Sequence, residues 1–175
     1  SRYELDLTLS GGMTGSIDDL SAPAEVTISG QRMSEQMTVS GAFALNNLYP
    51  DTYQITAALP RGLYDTEGWT LSTTDTGVTA SILVEIGAGE TVVLPALANH
   101  ATGDASGVVL GLDGQPMSGV QVQLVNQAGE VAAEAVTDEN GAWQAEFLEY
   151  GTYVVRYDAG VTLANGALVI SDEPA

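Results

Sequence analysis

The sequence predicts an all-β protein made of two tandem Ig-like, Greek-key β-sandwich domains. Two observations lead to this fold class. A fifteen-residue stretch occurs twice, one hundred residues apart, and short runs along most of the chain alternate between apolar and polar residues. No run keeps the 3.6-residue period of an amphipathic helix. Many short strands joined by Gly-rich turns are typical of β-sandwiches.

The repeated stretch covers residues 41–55 and residues 141–155. Each copy alternates apolar and polar residues, reaches a turn-type dipeptide (Pro50-Asp51 or Tyr150-Gly151) and continues as a second strand. A tyrosine just past such a corner can bury its ring and return its hydroxyl to nearby backbone. We therefore predict that the apolar members of both copies form the cores: Phe43, Leu48, Tyr53, Trp143, Leu148 and Tyr153.

The repeat favours two domains, over residues 1–99 and 100–175, with a short polar junction at residues 98–104. Residues 11–23, with Gly11-Gly12 at their start, are predicted to form a polar loop, and residues 171–175 the start of a linker. Alternation predicts further strands, at Leu5–Leu9, Val26–Ile28, Gln36–Val39, Trp69–Leu71, Ser81–Ile86, Thr91–Leu97, Val120–Leu124, Glu130–Val136 and Ala167–Ile170.

The chain is strongly acidic, with 23 acids against four Arg and no Lys, and a net charge of −19. Phosphate binding needs clustered cations, so neither nucleic acid nor an anionic membrane surface is an expected partner. No apolar stretch approaches the ~20 residues of a spanning helix, and the absence of Cys excludes disulfides and thiolate sites. Because the chain begins Ser1-Arg2 without Met or a signal peptide, we expect a piece of a longer protein. We also expect this piece to be a monomer.

The second domain resembles the prealbumin-like sandwich modules, which include collagen-adhesin B-type repeats of Gram-positive surface proteins and carboxypeptidase regulatory-like domains. The resemblance covers most of residues 105–160. Its motifs are Gly107-Val108-Val109, Asp113-Gly114-Gln115-Pro116, Gly119-Val120-Gln121-Val122, residues 137–143, Leu148 and Gly151-Thr152-Tyr153. The first domain is similar through Phe43, Leu48, Thr52-Tyr53 and the set Pro60, Gly62 and Tyr64, which resembles the Pro-x-Gly-Tyr element of the adhesin repeats.

The resemblance implies a stalk or spacer in an adhesin or pilin-like protein, exposed on the cell surface, anchored to the cell wall and joined to flanking domains. Many family members contain an internal isopeptide bond between Lys and Asn or Asp, assisted by a Glu. This chain lacks Lys, and the positions where the family places the Glu are Ala57 and Tyr157. We therefore predict that neither domain crosslinks itself.

The candidate sites are few. The acids Asp18-Asp19 and Asp138-Glu139 lie in predicted loops and are candidate Ca²⁺ ligands; solvated loop acids are the alternative. No other cofactor is expected. His100 is the single histidine and falls in the predicted junction, a poor place to hold catalytic geometry, so we expect no enzyme.

An alternative function is a carbohydrate- or protein-binding module that contacts a host glycan or protein through its loops. Its candidate contact residues are aromatic: Tyr49, Tyr64, Trp69 and Tyr150. The competing interpretation is that Trp69 packs its segment onto the first sandwich.

Overall fold

The computed structural model describes residues 9–158 and 166–171. All the regular elements in this part of the chain are strands, which confirms the predicted all-β class. The chain divides into two compact units, Ser1–His100 (unit 1) and Ala101–Ala175 (unit 2). The strand predicted at Leu5–Leu9 lies outside the described residues except for Leu9, and so does the predicted linker beyond Ser171.

Unit 1 contains two sheets. The first has the order β4-β1-β10-β6, with β9 also paired to β1, and the second has the order β3-β2-β5-β8-β7. The strands are β1 (Gly11–Asp18), β2 (Ala24–Ser29), β3 (Ser34–Val39), β4 (Gly41–Leu48), β5 (Asp51–Leu59), β6 (Leu63–Thr66), β7 (Thr70–Thr73), β8 (Val78–Ile86), β9 (Thr91–Val93) and β10 (Leu97–His100).

The inward residues of both sheets form one apolar core in unit 1. β2 and β5 bury alternate residues, as the period of two predicts. The largest side chains that are fully enclosed in this core are Met13, Ile17, Ile28, Tyr53, Ile55, Ile86 and Leu97.

Unit 2 also contains two sheets, a pair β11-β14 and a four-stranded sheet in the order β13-β12-β15-β16. Its core is centred on Val120, Val122, Leu124, Trp143 and Tyr153. The strands are β11 (Thr102–Val108), β12 (Gln121–Val125), β13 (Val131–Val136), β14 (Ala142–Glu149), β15 (Gly151–Asp158) and β16 (Gly166–Ile170).

The predicted polar loop over residues 11–23 is wrong in its first half, because β1 occupies Gly11–Asp18. Met13 and Ile17 are fully buried on its inner side. Gly15 lies between them on the same face, so the alternation is present but one of its members has no side chain. A strand whose inner positions are glycines shows no apolar period, although a glycine there leaves room for close packing.

The predicted polar junction, residues 98–104, consists largely of strand. β10 runs to His100 and β11 starts at Thr102, so regular strand occupies nearly all of residues 98–104. Polar residues are accommodated here because strands that lie in a sheet expose alternate side chains. The predicted strand at Thr91–Leu97 is divided into β9 and β10, and Pro95 lies between them, consistent with its inability to donate to a ladder.

Candidate functional site

The corner between β4 and β5 is held by Tyr53. Its ring is 1% exposed, and its hydroxyl donates to the Tyr49 carbonyl oxygen at 2.6 Å. The Asp51 carboxylate accepts from the backbone N–H of Thr52 and, at 2.7 Å, from that of Gln31. Tyr53 and Asp51 therefore fix the turn between β4 and β5, and Asp51 also bonds the turn between β2 and β3.

The same corner recurs in unit 2 between β14 and β15. Tyr153 is 4% exposed, and its hydroxyl donates to the Glu149 carbonyl oxygen at 2.5 Å. A third bond of this kind is found in unit 1, where the Tyr64 hydroxyl donates to the Pro60 carbonyl oxygen at 2.7 Å. In all three the acceptor lies four residues before the tyrosine, so each bond closes one turn of backbone.

Burial raises the pKa of the Tyr53 hydroxyl above its ordinary value of 10.0, and the nearby Asp51 carboxylate raises it further. The pKa of Tyr153 is raised in the same way, by burial first and by Glu149 second. A protonated phenol can donate and a phenolate cannot. Both hydroxyls therefore keep their bonds to backbone throughout the neutral and mildly alkaline range.

A second repeated feature is a glycine that lies against the aromatic residue of the core. In the ladder between β1 and β4, Gly15 pairs with Phe43, and in the ladder between β11 and β14, Gly107 pairs with Trp143. A Cβ added at Gly15 would lie 2.8 Å from Cζ of Phe43, and one added at Gly107 would lie 2.6 Å from Nε1 of Trp143. Both glycines allow a ring to lie directly on the backbone.

The units correspond over much more of the chain than the visible repeat. Gly11 and Gly103 both pair with a leucine of the repeat, Leu48 and Leu148. The ladder shifts register at the same place in each unit, just after this glycine. A Cβ added at Gly11 would lie 2.4 Å from Cγ2 of Ile86, the last residue of β8. A Cβ added at Gly103 would lie 2.5 Å from Cγ2 of Ile170, the last residue of β16.

Sequence comparison misses this correspondence because the spacing changes along the chain. Gly11 and Gly103 are 92 residues apart, Phe43 and Trp143 are 100 apart, and Ile86 and Ile170 are 84 apart. The β4–corner–β5 segment keeps one offset over fifteen residues, which is long enough to be visible as a repeat in the sequence. Loops of different lengths separate the matching strands, and loops tolerate such changes.

The position where the resembling family places its Glu is Ala57 in unit 1 and Tyr157 in unit 2. Ala57 is fully buried on β5, opposite Val26 of β2 and Ala80 of β8. Tyr157 is half-buried on β15. Neither alanine nor tyrosine supplies a carboxyl at this position of the second sheet that could polarise an amide or a carboxylate.

The candidate Ca²⁺ ligands are not collected into one cluster. Asp18 ends β1 and accepts from the Ser16 hydroxyl, and Asp19 is an exposed residue with φ of 59°. The Asp138 carboxylate accepts from the backbone N–H groups of Asn140 and Ala142 and so fixes the turn before β14. Across residues 9–158 and 166–171 no group of three or more His, Asp or Glu side chains could hold a metal.

The aromatic residues of the alternative binding function do not share one environment. Trp69 is 7% exposed, and its Nε1 donates to the Pro95 carbonyl oxygen at 2.9 Å. It therefore cannot contribute to an exposed sugar platform, and it packs its segment onto the sandwich. Tyr49 and Tyr150 are exposed, and the Arg32 guanidinium lies 4.8 Å from the centre of the Tyr49 ring.

His100 lies in β10, not in a linker as expected. Its Nδ1 is 2.8 Å from Oδ2 of Asp65, which lies on the neighbouring strand β6. This contact joins β10 to β6, the strand at one edge of the first sheet of unit 1.

Sequence reasoning missed Thr137, the one polar side chain classed as buried in the described part of the protein. Its hydroxyl donates to the Met117 carbonyl oxygen at 2.6 Å and accepts from the Val120 N–H at 2.9 Å. These bonds hold the chain entering β12 against the end of β13. A threonine followed by Asp-Glu-Asn-Gly predicts a turn, and nothing in that pattern indicates burial.

Residues 105–167 match the family model of the carboxypeptidase regulatory-like domain. This match confirms the resemblance predicted for most of residues 105–160. No curated protein matches the chain in sequence. Helices that could cross a membrane do not occur in the described part of the chain.

Several solved structures are similar to the chain. The Bacillus anthracis TIE protein is 21% identical with a TM-score of 0.43, and the match covers 92% of this chain and 31% of that one. The shaft pilin SpaA from Lactobacillus rhamnosus GG is 11% identical with a TM-score of 0.43, covering 93% and 94%. GBS52, the minor pilin of Streptococcus agalactiae, is 14% identical with a TM-score of 0.38, covering 91% and 90%.

Proposed function

We propose that the chain is a structural stalk or spacer module of a bacterial cell-surface adhesin or pilin-like protein, without internal isopeptide bonds. In this proposal it is joined to flanking domains of a longer, cell-wall-anchored protein and transmits tension between them. The observation that supports it is the parallel pairing of β1, the first described strand of unit 1, with β9 and β10.

This parallel pairing joins β1 to β9 at residues 12–14 and 91–93, and β1 to β10 at residues 17–18 and 97–98. The Gly12 N–H donates to the Glu90 carbonyl oxygen at 2.9 Å, and the Leu94 N–H donates to that of Thr14 at 2.8 Å. Leu94 and Leu97 are also buried in the core. β1 is thus connected directly to β9 and β10 by backbone hydrogen bonds, and Leu94 and Leu97 add apolar contacts in the core.

Parallel end strands respond to tension in a particular way. A pull on the chain before Gly11 and after His100 drags β1 and β10 in opposite directions along their common axis. The hydrogen bonds of the parallel pairing then bear load together, as in shear, and are not opened one at a time. Such a unit resists extension without a covalent crosslink, which is what a spacer lacking Lys requires.

The first prediction concerns a single-molecule force measurement, in which the chain is tethered at both ends and its unfolding rate is recorded under constant force. Replacing Leu94 with proline removes the N–H that bonds Thr14. Since one such bond is worth about 0.5–1.5 kcal/mol net, we expect unit 1 to unfold about two- to tenfold faster under load. Unfolding of unit 1 should release roughly 30 nm of chain, at up to about 3.6 Å per residue.

The matched control is Leu94→Ala, which loses the buried side chain but keeps the N–H. The excess rate of Leu94→Pro over Leu94→Ala measures the backbone bond. Equal rates for the two variants would count against the shear geometry. The proposed function itself fails if wild-type unit 1 unfolds at forces no higher than unit 2, whose described strand pairs are all antiparallel.

A second prediction concerns covalent structure. Because the chain has no Lys and Ala57 and Tyr157 stand where the family places Glu, we expect the intact mass to equal the sum of the residues. The measurement is mass spectrometry of the whole protein under denaturing conditions. A deficit of one ammonia or one water would mean that a crosslink had formed by other groups.

A further inference from the structure

The first sheet of unit 2 has an edge that no described strand covers. β11 pairs with β14 on one side, and within residues 102–158 and 166–171 no strand pairs with its other side. In unit 1 the same edge of β1 is occupied by β9 and β10. Unpaired N–H and C=O groups along a strand edge are a ready template for another strand.

The matching register identifies the groups at this open edge. Gly11 corresponds to Gly103 and Gly15 to Gly107, because each pair faces the same positions of the repeat. Gly12 and Thr14, whose backbone groups bond the covering segment in unit 1, therefore correspond to Asp104 and Ser106. Asp104, Ser106 and Val108 are all exposed, and Val108 is 61% exposed although apolar.

The core of unit 2 also lacks what the covering segment supplies in unit 1. There, Leu94 and Leu97 are buried and Val92 packs against the core. Val84 of β8, which pairs with Tyr53, is buried. Its counterpart Leu168, which pairs with Tyr153, is only half-buried. A strand that fits the open edge should therefore present apolar side chains at the spacing of Val92, Leu94 and Leu97.

The geometry at Ile170 indicates where this strand comes from. Ile170 lies beside Gly103, as Ile86 lies beside Gly11, so a chain leaving β16 is already at the start of β11. In unit 1 the four residues 87–90 are enough to pass from Ile86 to Thr91, through a turn in which the Glu90 N–H donates to the Gly87 carbonyl oxygen at 3.1 Å. In the sequence, four residues also separate Ile170 from Ala175.

We propose that the open edge of β11 binds, in parallel, a strand supplied by the polypeptide that continues after Ala175 in the longer protein. This rests on the proposed function, in which the chain is one module of such a protein. The strand bonds the backbone of Asp104 and Ser106, covers Val108 and places apolar side chains over the core of unit 2. Unit 2 then gains the parallel pairing that unit 1 already has.

The test extends the 175-residue chain after Ala175 with a copy of residues 91–100. We expect the amides of Asp104, Ser106 and Val108 to exchange with deuterium at least about tenfold more slowly, which corresponds to about 1.4 kcal/mol. We also expect the denaturant midpoint reported by Trp143 fluorescence to rise. A control extension of equal length carries serine in place of Val92, Leu94 and Leu97 and should protect these amides little.

Unchanged exchange at all three amides in the extended chain would overturn the proposal. So would equal protection by the serine control, because the apolar side chains would then play no part. Concentration-dependent dimerisation of the unextended chain, with these amides protected, would assign the edge to a second copy instead. These readouts concern unit 2 alone, whereas the force measurement on unit 1 tests the proposed function, so each can fail without the other.

Discussion

Replacing Tyr53 with alanine is expected to destabilise unit 1 by about 3–5 kcal/mol, the usual cost of deleting a buried aromatic ring. The ring is 1% exposed and lies in the core. The same change removes the hydroxyl that bonds the Tyr49 carbonyl oxygen. Since small domains are stable by only about 5–15 kcal/mol, this is a large share of the total.

The measurement is equilibrium denaturation followed by fluorescence, because each unit contains one tryptophan, Trp69 or Trp143. The midpoint reported by Trp69 should fall and that reported by Trp143 should not change. The Tyr53→Phe variant keeps the ring and removes only the hydroxyl, so it should cost about 1–2 kcal/mol. If alanine and phenylalanine cost the same, burial of the ring is not what stabilises the corner.

The pH dependence gives a second readout of the same hydroxyl. Burial raises the folded-state pKa of Tyr53 above 10.0, so the unfolded chain loses this proton at lower pH than the folded one. The contribution is fully present below about pH 10 and is lost as pH rises through the folded-state pKa. Tyr53→Phe should therefore weaken the alkaline loss of stability of unit 1, leaving the part due to Tyr64, whose pKa burial also raises.

Strands that have apolar side chains on one face and polar side chains on the other could be predicted from the sequence. The alternation at Val120, Val122 and Leu124 predicts a strand, and β12 covers Gln121–Val125 with Val122 and Leu124 buried. The repeat predicts the two strands on either side of each corner, β4–β5 and β14–β15. These predictions succeed because a half-buried strand must alternate, whatever it pairs with.

Features that depend on close backbone approach could not be predicted in this way. Gly15 and Gly107 are core positions, but they contribute space for a ring and not a side chain. Their role becomes visible only when the paired residues Phe43 and Trp143 are known. The parallel pairing of β1 with β9 and β10 joins segments about eighty residues apart, and local patterning does not specify such a partner.

Unit 2 has Trp143 at the position where unit 1 has Phe43, and this difference has a consequence that the sequence does not show. The Trp143 indole N–H is buried and has no hydrogen-bond partner in the described part of the protein. Its nitrogen lies against Gly107. A buried unsatisfied donor costs about 1–3 kcal/mol, so unit 2 obtains the larger apolar area of the indole at the expense of one lost hydrogen bond.

Replacing Gly107 with valine is expected to destabilise unit 2 by about 1–3 kcal/mol or more. The new Cβ would lie 2.6 Å from Nε1 of Trp143 and 2.9 Å from Cε2, closer than real side chains approach. Because the ring is 6% exposed and enclosed by the core, it can move only by displacing its neighbours, and overpacking of this kind is costly. The measurement is the denaturation midpoint of unit 2 from Trp143 fluorescence.

Gly166→Val is the matched control in the same unit, since no atom of the described residues lies within 4 Å of a Cβ added to Gly166 on β16. Valine suits an exposed strand position, so this variant should be neutral or slightly stabilising. Gly15→Val should repeat the loss in unit 1, where the obstacle is the Phe43 ring. If Gly107→Val costs no more than Gly166→Val, the ring does not lie on the backbone of β11. The equivalence of Gly15 and Gly107, which is the main reason for assigning Asp104 and Ser106 to the open edge, would then be unsupported.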